Sequence, residues 1–292
     1  MNTPSNVQDP RRQLFAASLG LAPGLGRLKG RNILILGAGQ RAPADGAAAD
    51  AVGNGRAMSL LFAREGAHVA CADVDLPAAQ ETVRQVRAAG GTAVALAADA
   101  ADPQFAQVLF RQAAQAIGPI SGAVANVGIA NGRNLANESA DTWDLVMAVN
   151  VRAHMLLAQQ GIKDMIDGSA LLLISSLASS SPVGRNPAYE TSKAALAALC
   201  RAAALEGQPR GIRVNGIAPG LLDTPMGRAA SVRSPSRAVR PLPFGRQGTA
   251  WELAHTALFL IGDEASYVNA QMLYMDGGLG SSIGLAPQAV AA

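Results

Sequence analysis

Lysine, tyrosine and cysteine are scarce in this sequence. Its positive charge comes almost wholly from arginine. The lysines are Lys29, Lys163 and Lys193, and the cysteines are Cys71 and Cys200. A disulfide framework needs more cysteines than that. Each cysteine lies in an apolar stretch, one strand-like and one helix-like, and reads as a buried thiol in a reducing compartment. Aromatic residues make up 4% of the chain, too few for a base-stacking platform. The net charge of +3, without a basic face, argues against nucleic-acid binding. No apolar run reaches the roughly 18 residues of a membrane span. His68, His154 and His255 lack metal-ligand spacing, so no metal site is expected. Charged residues are 15% and hydrophobic ones 49% of the chain, a balance that supports a large core and excludes wholesale disorder.

Residues 1–28 read as an N-terminal extension. Arg11-Arg12 followed by LFAASLGLAPGLG has the outline of a twin-arginine export signal. The apolar run is interrupted by Gly20, Pro23 and Gly24, however, and no A-x-A site follows. The expected location is therefore cytoplasmic, with the segment forming a short helical arm packed on the body. From residue 29 onward, strand-like and helix-like stretches alternate: NILILGAG, GRAMSLLFAREG, AHVACADVD, LPAAQETVRQVRAAG, TAVALAAD, DPQFAQVLFRQAAQAIG, SGAVANVG. That order predicts parallel strands with right-handed crossovers. A long helix is expected over 140–166, a fifth strand at SALLLISS, and a loop-rich lid over 221–248. A helix at WELAHTALFLIG and a last strand at QMLYMDGG follow. No linker divides the chain, so residues 29–292 are expected to form one α/β domain, a doubly wound parallel sheet of about seven strands with helices on both faces.

Three features point to chemistry. Tyr189 and Lys193 are four apart in a helix-like stretch and share a face. An ammonium beside a phenol favours the phenolate and makes a general acid/base for an alcohol or carbonyl. Alone, this spacing carries little. Upstream, a strand runs into Gly37 and Gly39, and Gly53, Asn54 and Gly55 open a helix. Strand, glycine turn and helix in that order make an anion site from backbone N–H groups. Asp73 ends the next strand, 18 residues after Gly55. There it would accept hydrogen bonds from a ribose 2′-OH and repel a 2′-phosphate, favouring NAD over NADP.

Over about residues 30–278 the chain resembles the short-chain dehydrogenase/reductase family. The glycine-rich turn is matched by Gly37, Gly39, Gly53 and Gly55, and the adenine-side acid after the third strand by Asp99, with Ala100 beside it. Asn126 and Gly128 stand in a degenerate form of the family's Asn-Asn-Ala-Gly motif. The helix asparagine is Asn150. Ser176 lies 13 residues before Tyr189, the family spacing, and Tyr189 and Lys193 complete the set. Pro219-Gly220 and Thr224 match the nicotinamide side of the cofactor site, and Asp276-Gly277-Gly278 the last strand end. The departure is an insertion, RAPADGAAADAV (41–52), within the phosphate loop; Arg41 in it offers a partner to a 2′-phosphate and keeps NADP open.

The resemblance implies an NAD(P)-dependent alcohol dehydrogenase or carbonyl reductase that interconverts an alcohol and a ketone. Tyr189 would move the proton. Lys193 would lower its pKa and hold the nicotinamide ribose, Ser176 would bond the substrate oxygen, and Asn150 would hold a water. The alternative is a catalytically idle dinucleotide-binding sensor or scaffold. The resemblance also implies a homo-oligomer, a tetramer, built on the apolar helices 141–166 and 187–206. Five arginines and no acid between Pro225 and Arg246 raise the prospect of an anionic substrate, against the plainer reading of a solvated loop.

Overall fold

Short, mainly apolar runs form the strands of the main sheet. In chain order the strands are β1 (Asn32–Leu36), β2 (His68–Asp73), β3 (Thr92–Ala97), β4 (Gly122–Ala125), β5 (Ala170–Ile174), β6 (Arg213–Pro219), β7 (Leu222–Asp223), β8 (Gly248–Thr249) and β9 (Met272–Met275). The structure is a computed structural model describing residues 12–40, 51–234, 237 and 240–281. Seven strands make one sheet in the order β3-β2-β1-β4-β5-β6-β9. Every pairing in it is parallel. Parallel strands need covered faces, which explains why β1 and β5 read as unbroken apolar runs rather than alternating ones.

Strand residues still alternate sides. Ile33, Ile35, Val69, Cys71, Leu172 and Ile174 enter one core, closed by α1 (Asn54–Arg64), α2 (Leu76–Ala88) and α8 (Ala250–Ile261). Leu34, Leu36, Ala70, Ala72, Leu171 and Leu173 enter the other, closed by α3 (Phe105–Ile117), α5 (Ala153–Asp164) and α6 (Pro187–Gly207). Cys71 and Cys200 are both buried and unpaired. The chain reverses direction of progress between β1 and β4. A crevice at the carboxyl ends of the strands is the consequence of such a switch.

Two elements differ from the sequence reading. The helix expected over 140–166 has three parts: α4 (Ala140–Met147), a π-helical turn over Ala148–Arg152, and α5. The Ala153 N–H bonds the Ala148 carbonyl, so one extra residue enters the turn, which hydrophobic spacing does not reveal. The stretch 221–248 is bracketed by the paired β7 and β8 and holds α7 (Pro225–Arg233). Thr224 caps α7 through its hydroxyl, and Pro225 occupies the first turn, where its missing N–H costs nothing.

The described part of the N-terminal extension lies on α1 and α8. Arg64 donates to the Gly20 and Ala22 carbonyls, and Thr249 donates to the Ser18 carbonyl. Glu65, fully buried, accepts from the Leu25 and Arg27 N–H groups and from Arg27 Nη2 at 2.6 Å. Burial pushes this carboxyl up, but the Arg27 and Leu25 hydrogen bonds outweigh it and hold it below its ordinary value.

Glu65→Ala strands these donors, and the expected loss is about 3 kcal/mol of unfolding free energy. A folded pKa below the unfolded one stabilises fully above about pH 4.3 and fades as pH falls through the folded value. Urea titrations should therefore show a gap at pH 7 that narrows by pH 3. Equal stability at pH 7 would contradict the clamp.

Candidate active site

The site is built on strand ends. Gly37 follows β1 in the left-handed region, with φ +86°, and its N–H bonds back to the Ala72 carbonyl. Its carbonyl accepts from Asn126 Nδ2 at 2.7 Å, which ties the ends of β1 and β4 together. Gly55 enters α1 directly against that same carbonyl. A Cβ there would also stand 2.9 Å from Ala38 Cα and from Asn126 Nδ2, so only glycine fits. Gly53 caps α1 without a side chain, leaving the first-turn N–H groups facing the crevice. Asn54 Oδ1 is buried there without a hydrogen-bond partner.

Residues 41–50, and with them Arg41, lie outside the described residues. Their flanks meet through Gln40. Its Oε1 accepts from the Gly53 N–H at 2.7 Å, and its Nε2 donates to the Ala51 carbonyl at 2.9 Å. The phosphate loop is thus closed by a side chain that sequence reading passed over.

Asp73 ends β2 with its carboxylate turned to the loop. Oδ2 accepts from the Gly39 N–H at 2.8 Å and Oδ1 from the Asp75 N–H at 3.1 Å. A Cβ on Gly39 would stand 2.7 Å from Asp73 Oδ2, so that glycine is what admits the carboxylate. Arg56, by contrast, is buried and bonded to Thr82 Oγ1. Asp99 lies two residues past β3, exposed, and accepts from the Ala101 N–H; Ala100 beside it is buried. Pro219 ends β6, and the Gly220 N–H bonds the Met275 carbonyl. Thr224 is buried with its hydroxyl committed to the Gly227 N–H.

The polar centre joins β4, the π-turn, β5 and α6. Asn150 is fully buried and fixes the strand-end loop: Oδ1 accepts from the Ile129 N–H at 2.8 Å, while Nδ2 donates to the Ile129 carbonyl and to Ser192 Oγ, each at 2.9 Å. Both donors are spent, so only acceptor capacity remains for a water. Lys193 Nζ donates to the Ile174 carbonyl at 2.9 Å, and the Ser175 hydroxyl donates to the Lys193 carbonyl at 2.8 Å. These two bonds fasten α6 to the end of β5. Gly128 supplies the remaining wall: a Cβ there would lie 3.1 Å from Lys193 Nζ. Ser176 stands at the start of a short 3-10 turn and accepts from the Ala178 N–H. Glu190 orders the approach to α6 by accepting from the Val183 and Gly184 N–H groups. Ser175, Ser192 and Glu190 carried no motif, and only their place in the fold identifies them.

Electrostatics differ from the sequence expectation at Tyr189. Burial pushes its phenol up, with Ser176 and then Arg237 pulling the other way. Lys193 Nζ is 5.8 Å from the ring centroid and is itself brought down to about 7 by burial. An ammonium turned to a carbonyl and poised near neutrality cannot hold the phenol down unaided. His154, one turn beyond Asn150, is fully buried; burial first and the Lys193 charge second keep it well below its ordinary value. It is therefore a neutral packing group. Among the described residues no group of three or more His, Cys, Asp and Glu could hold a metal. Among them, too, no helix is long and apolar enough to cross a membrane.

Comparison with known proteins agrees with this architecture. A family model described as enoyl-(acyl carrier protein) reductase matches residues 46–280. A 2,5-dichloro-2,5-cyclohexadiene-1,4-diol dehydrogenase of Sphingobium indicum is 33% identical, with 78% of this chain and 92% of that one covered. A cyclohexanol dehydrogenase of Acinetobacter is 31% identical over 77% of this chain and 90% of its own. The structure of a short-chain dehydrogenase/reductase from Serratia marcescens superposes with a TM-score of 0.76 at 28% identity, covering 87% of this chain and 99% of that one.

The burial of Lys193 has a measurable signature. Its folded pKa lies below the unfolded value of about 10.4, so the unfolded chain binds more protons between about pH 7 and 10. Stability therefore rises with pH across that window. Lys193→Met should be more stable than the parent below pH 7, with the difference shrinking toward pH 10. Urea unfolding at pH 6, 8 and 10 measures this; a difference independent of pH would show that the ammonium is solvated.

Proposed function

The chain belongs to the short-chain dehydrogenase/reductase family, and we propose that it is an NAD(P)-dependent alcohol dehydrogenase or carbonyl reductase interconverting an alcohol and a ketone. The observation that carries this reading is the meeting of Ser176, Tyr189 and Lys193 where β5 hands over to α6, with Asn150 behind them. A bound nicotinamide dinucleotide supplies the carbon that accepts or gives the hydride.

The residues present fit such a group. The Gly55–Gly37 contact brings backbone to the crevice with no side chain in the way, and the uncapped N-terminus of α1 offers N–H groups to a pyrophosphate. In this reading Gly37, Gly39, Gly53, Asn54 and Gly55 form the phosphate cradle. Asp99 and Ala100 flank the adenine, Asn126 and Gly128 the central ribose, and Pro219, Gly220 and Thr224 the nicotinamide. Asp73 takes the adenosine ribose. Each of its oxygens already accepts one N–H and keeps a further lone pair for a hydroxyl. Asp75 stands beside it, so a 2′-phosphate would meet two carboxylates, and NAD is favoured.

In the oxidative direction Tyr189 first loses its proton; the alcohol C–H then gives up its hydride, the O–H proton passes to the phenolate, and a C=O forms. Ser176 holds the substrate oxygen during the transfer. The phenol raised by burial is protonated at neutral pH, the state that donates in ketone reduction. Lys193 returns protons through its own neutral and charged forms, which are near balance at about 7.

A panel of secondary alcohols and ketones with NAD(H) and NADP(H), followed at the nicotinamide absorbance, tests this. Turnover is expected with NAD preferred in kcat/KM. Tyr189→Phe should lower kcat at least 1000-fold, of the order of a lost general acid/base, while dinucleotide affinity stays within a few-fold. Activity within tenfold of the parent would defeat the assignment.

We also propose a homotetramer. Leu145 on α4, Met155 on α5 and Leu205 on α6 are exposed large apolar side chains, and surfaces of this kind mark interfaces. Light scattering at micromolar concentration should give four times the chain mass; a monomer would refute it.

A further inference from the structure

The stretch 221–249 leaves the sheet at β7, passes through α7 and comes back along a limb, 242–249, whose end pairs β8 with β7. Arg228 near its start forks onto Asp223, and Arg246 on the limb forks onto Glu252 of α8. Both halves of the stretch reach the segment that joins Ser176 to Tyr189. After α7, Ser234 Oγ accepts from Arg185 Nη1 at 3.1 Å. The limb reaches the segment through the turn after β9. Phe244 lies against Gly277, where a Cβ would come within 3.3 Å of the ring, and a Cβ on Gly280 would stand 2.7 Å from Cδ1 of Leu177, the residue after Ser176. The limb also walls a cavity of about 240 Å³, with Leu242, Phe244 and Arg246 on one side and Met275, Gly277 and Leu279 on the other.

The limb has few main-chain bonds to the body. The Gly248 N–H donates to the Leu221 carbonyl, and the β7–β8 pairing spans two residues of each strand. The N-terminal arm adds three contacts from more than 230 positions away. Thr249 Oγ1 donates to the carbonyl of the buried Ser18 at 2.7 Å, and Arg246 Nη2 to the Gln13 carbonyl at 3.3 Å. Gly245, left-handed with φ +61°, leaves room for Arg12, whose Nε would lie 2.9 Å from a Cβ there. The arm is fixed to the body behind these contacts. Gly20, with φ +72°, lies flat on Trp251 of α8, and any Cβ on it would run into the ring. Arg64 and Glu65 grip the residues that follow. A free terminus holds nothing in place, but one gripped along 20–27 can hold a loop that it meets at 12–18.

We infer that residues 12–18 are positioning residues: they strap the limb 242–249 to the body and so fix one wall of the cavity beside the Ser176–Tyr189 segment. That the arm holds the limb stands on these contacts alone; that the limb acts on substrate rests on the proposed alcohol–ketone reaction. A wall in place only part of the time lowers apparent affinity by that fraction. The effect therefore belongs in KM, not in the proton transfer at Tyr189.

Hydrogen exchange read by mass spectrometry, on the full chain and on a variant lacking residues 1–19, tests the strap. Peptides covering 242–249 should exchange about 10- to 100-fold faster in the truncated protein, the range for two net hydrogen bonds lost. Peptides of β5 and of the second half of α6 should keep their rates. Gly20→Val in the full chain, which lifts the arm from Trp251, should give the same pattern. Unchanged exchange over 242–249 overturns the inference. A loss spread evenly over the chain overturns it too, since the arm would then be a general stabiliser. In the truncated protein, KM for the secondary alcohol that the full chain turns over best should rise about threefold or more, with kcat and the dinucleotide Kd each within about twofold. An unchanged KM, or a loss confined to kcat, removes the limb from substrate binding and overturns that part. If no alcohol or ketone is turned over, the proposed function fails, and exchange over 242–249 still decides whether the arm holds the limb.

Discussion

A lysine is buried near the centre of this fold with a main-chain carbonyl as its hydrogen-bond acceptor. That arrangement constrains much of what surrounds it. Lys193 reaches Ile174 only if α6 lies tight against the end of β5, and the Ser175 hydroxyl on the Lys193 carbonyl holds it there from the other direction. A Cβ on Gly128 would stand 3.1 Å from Lys193 Nζ, so a larger residue there crowds the ammonium. Asn150 lies on the π-turn over Ala148–Arg152, where its side chain holds the Ile129 backbone and Ser192. One buried cation therefore stands against a glycine after β4 and is secured by a serine after β5.

The opposite end of the crevice is governed by close approach rather than charge. Gly55 rests on the Gly37 carbonyl, and Gly39 rests on Asp73. The Asp73 carboxylate is thus a structural acceptor for the loop before it is anything else. Gln40 holds the two flanks of residues 41–50 together through Ala51 and Gly53.

The sheet was legible in the sequence because fully buried parallel strands leave uninterrupted apolar runs, and glycines mark their ends. The order of Gly37, Asn150, Ser176, Tyr189 and Lys193 was legible because those residue types recur at fixed spacings. What escaped reading are features set by contact between distant segments. Glu65 gathers the N-terminal arm from about 40 positions away. Asp223 and Glu252 neutralise arginines that look unopposed when only 225–246 is read. The π-turn adds one residue to a helix without disturbing its composition. The direction of the Tyr189 shift also depends on burial, which spacing alone does not report: a tyrosine and a lysine four apart on a helix predict mutual help, whereas a carbonyl that claims the ammonium weakens it.

The crevice consequently has two electrostatic halves. Asp73, Asp75 and Asp99 stand where β2 and β3 end, and Lys193 lies where β5 and α6 meet. A ligand that spans the crevice meets hydrogen-bond acceptors at one end and a cation at the other. Hydroxyl-rich sugar suits the first, because carboxylates accept from hydroxyls and repel phosphate. An oxygen that gathers negative charge during reaction suits the second, since a cation there is worth more as charge develops on the oxygen than while it is neutral. Such a cation must be present before the reaction starts. The fold holds Lys193 in place through the Ile174 carbonyl, and burial, which draws its ammonium down to about 7, makes that charge dependent on pH.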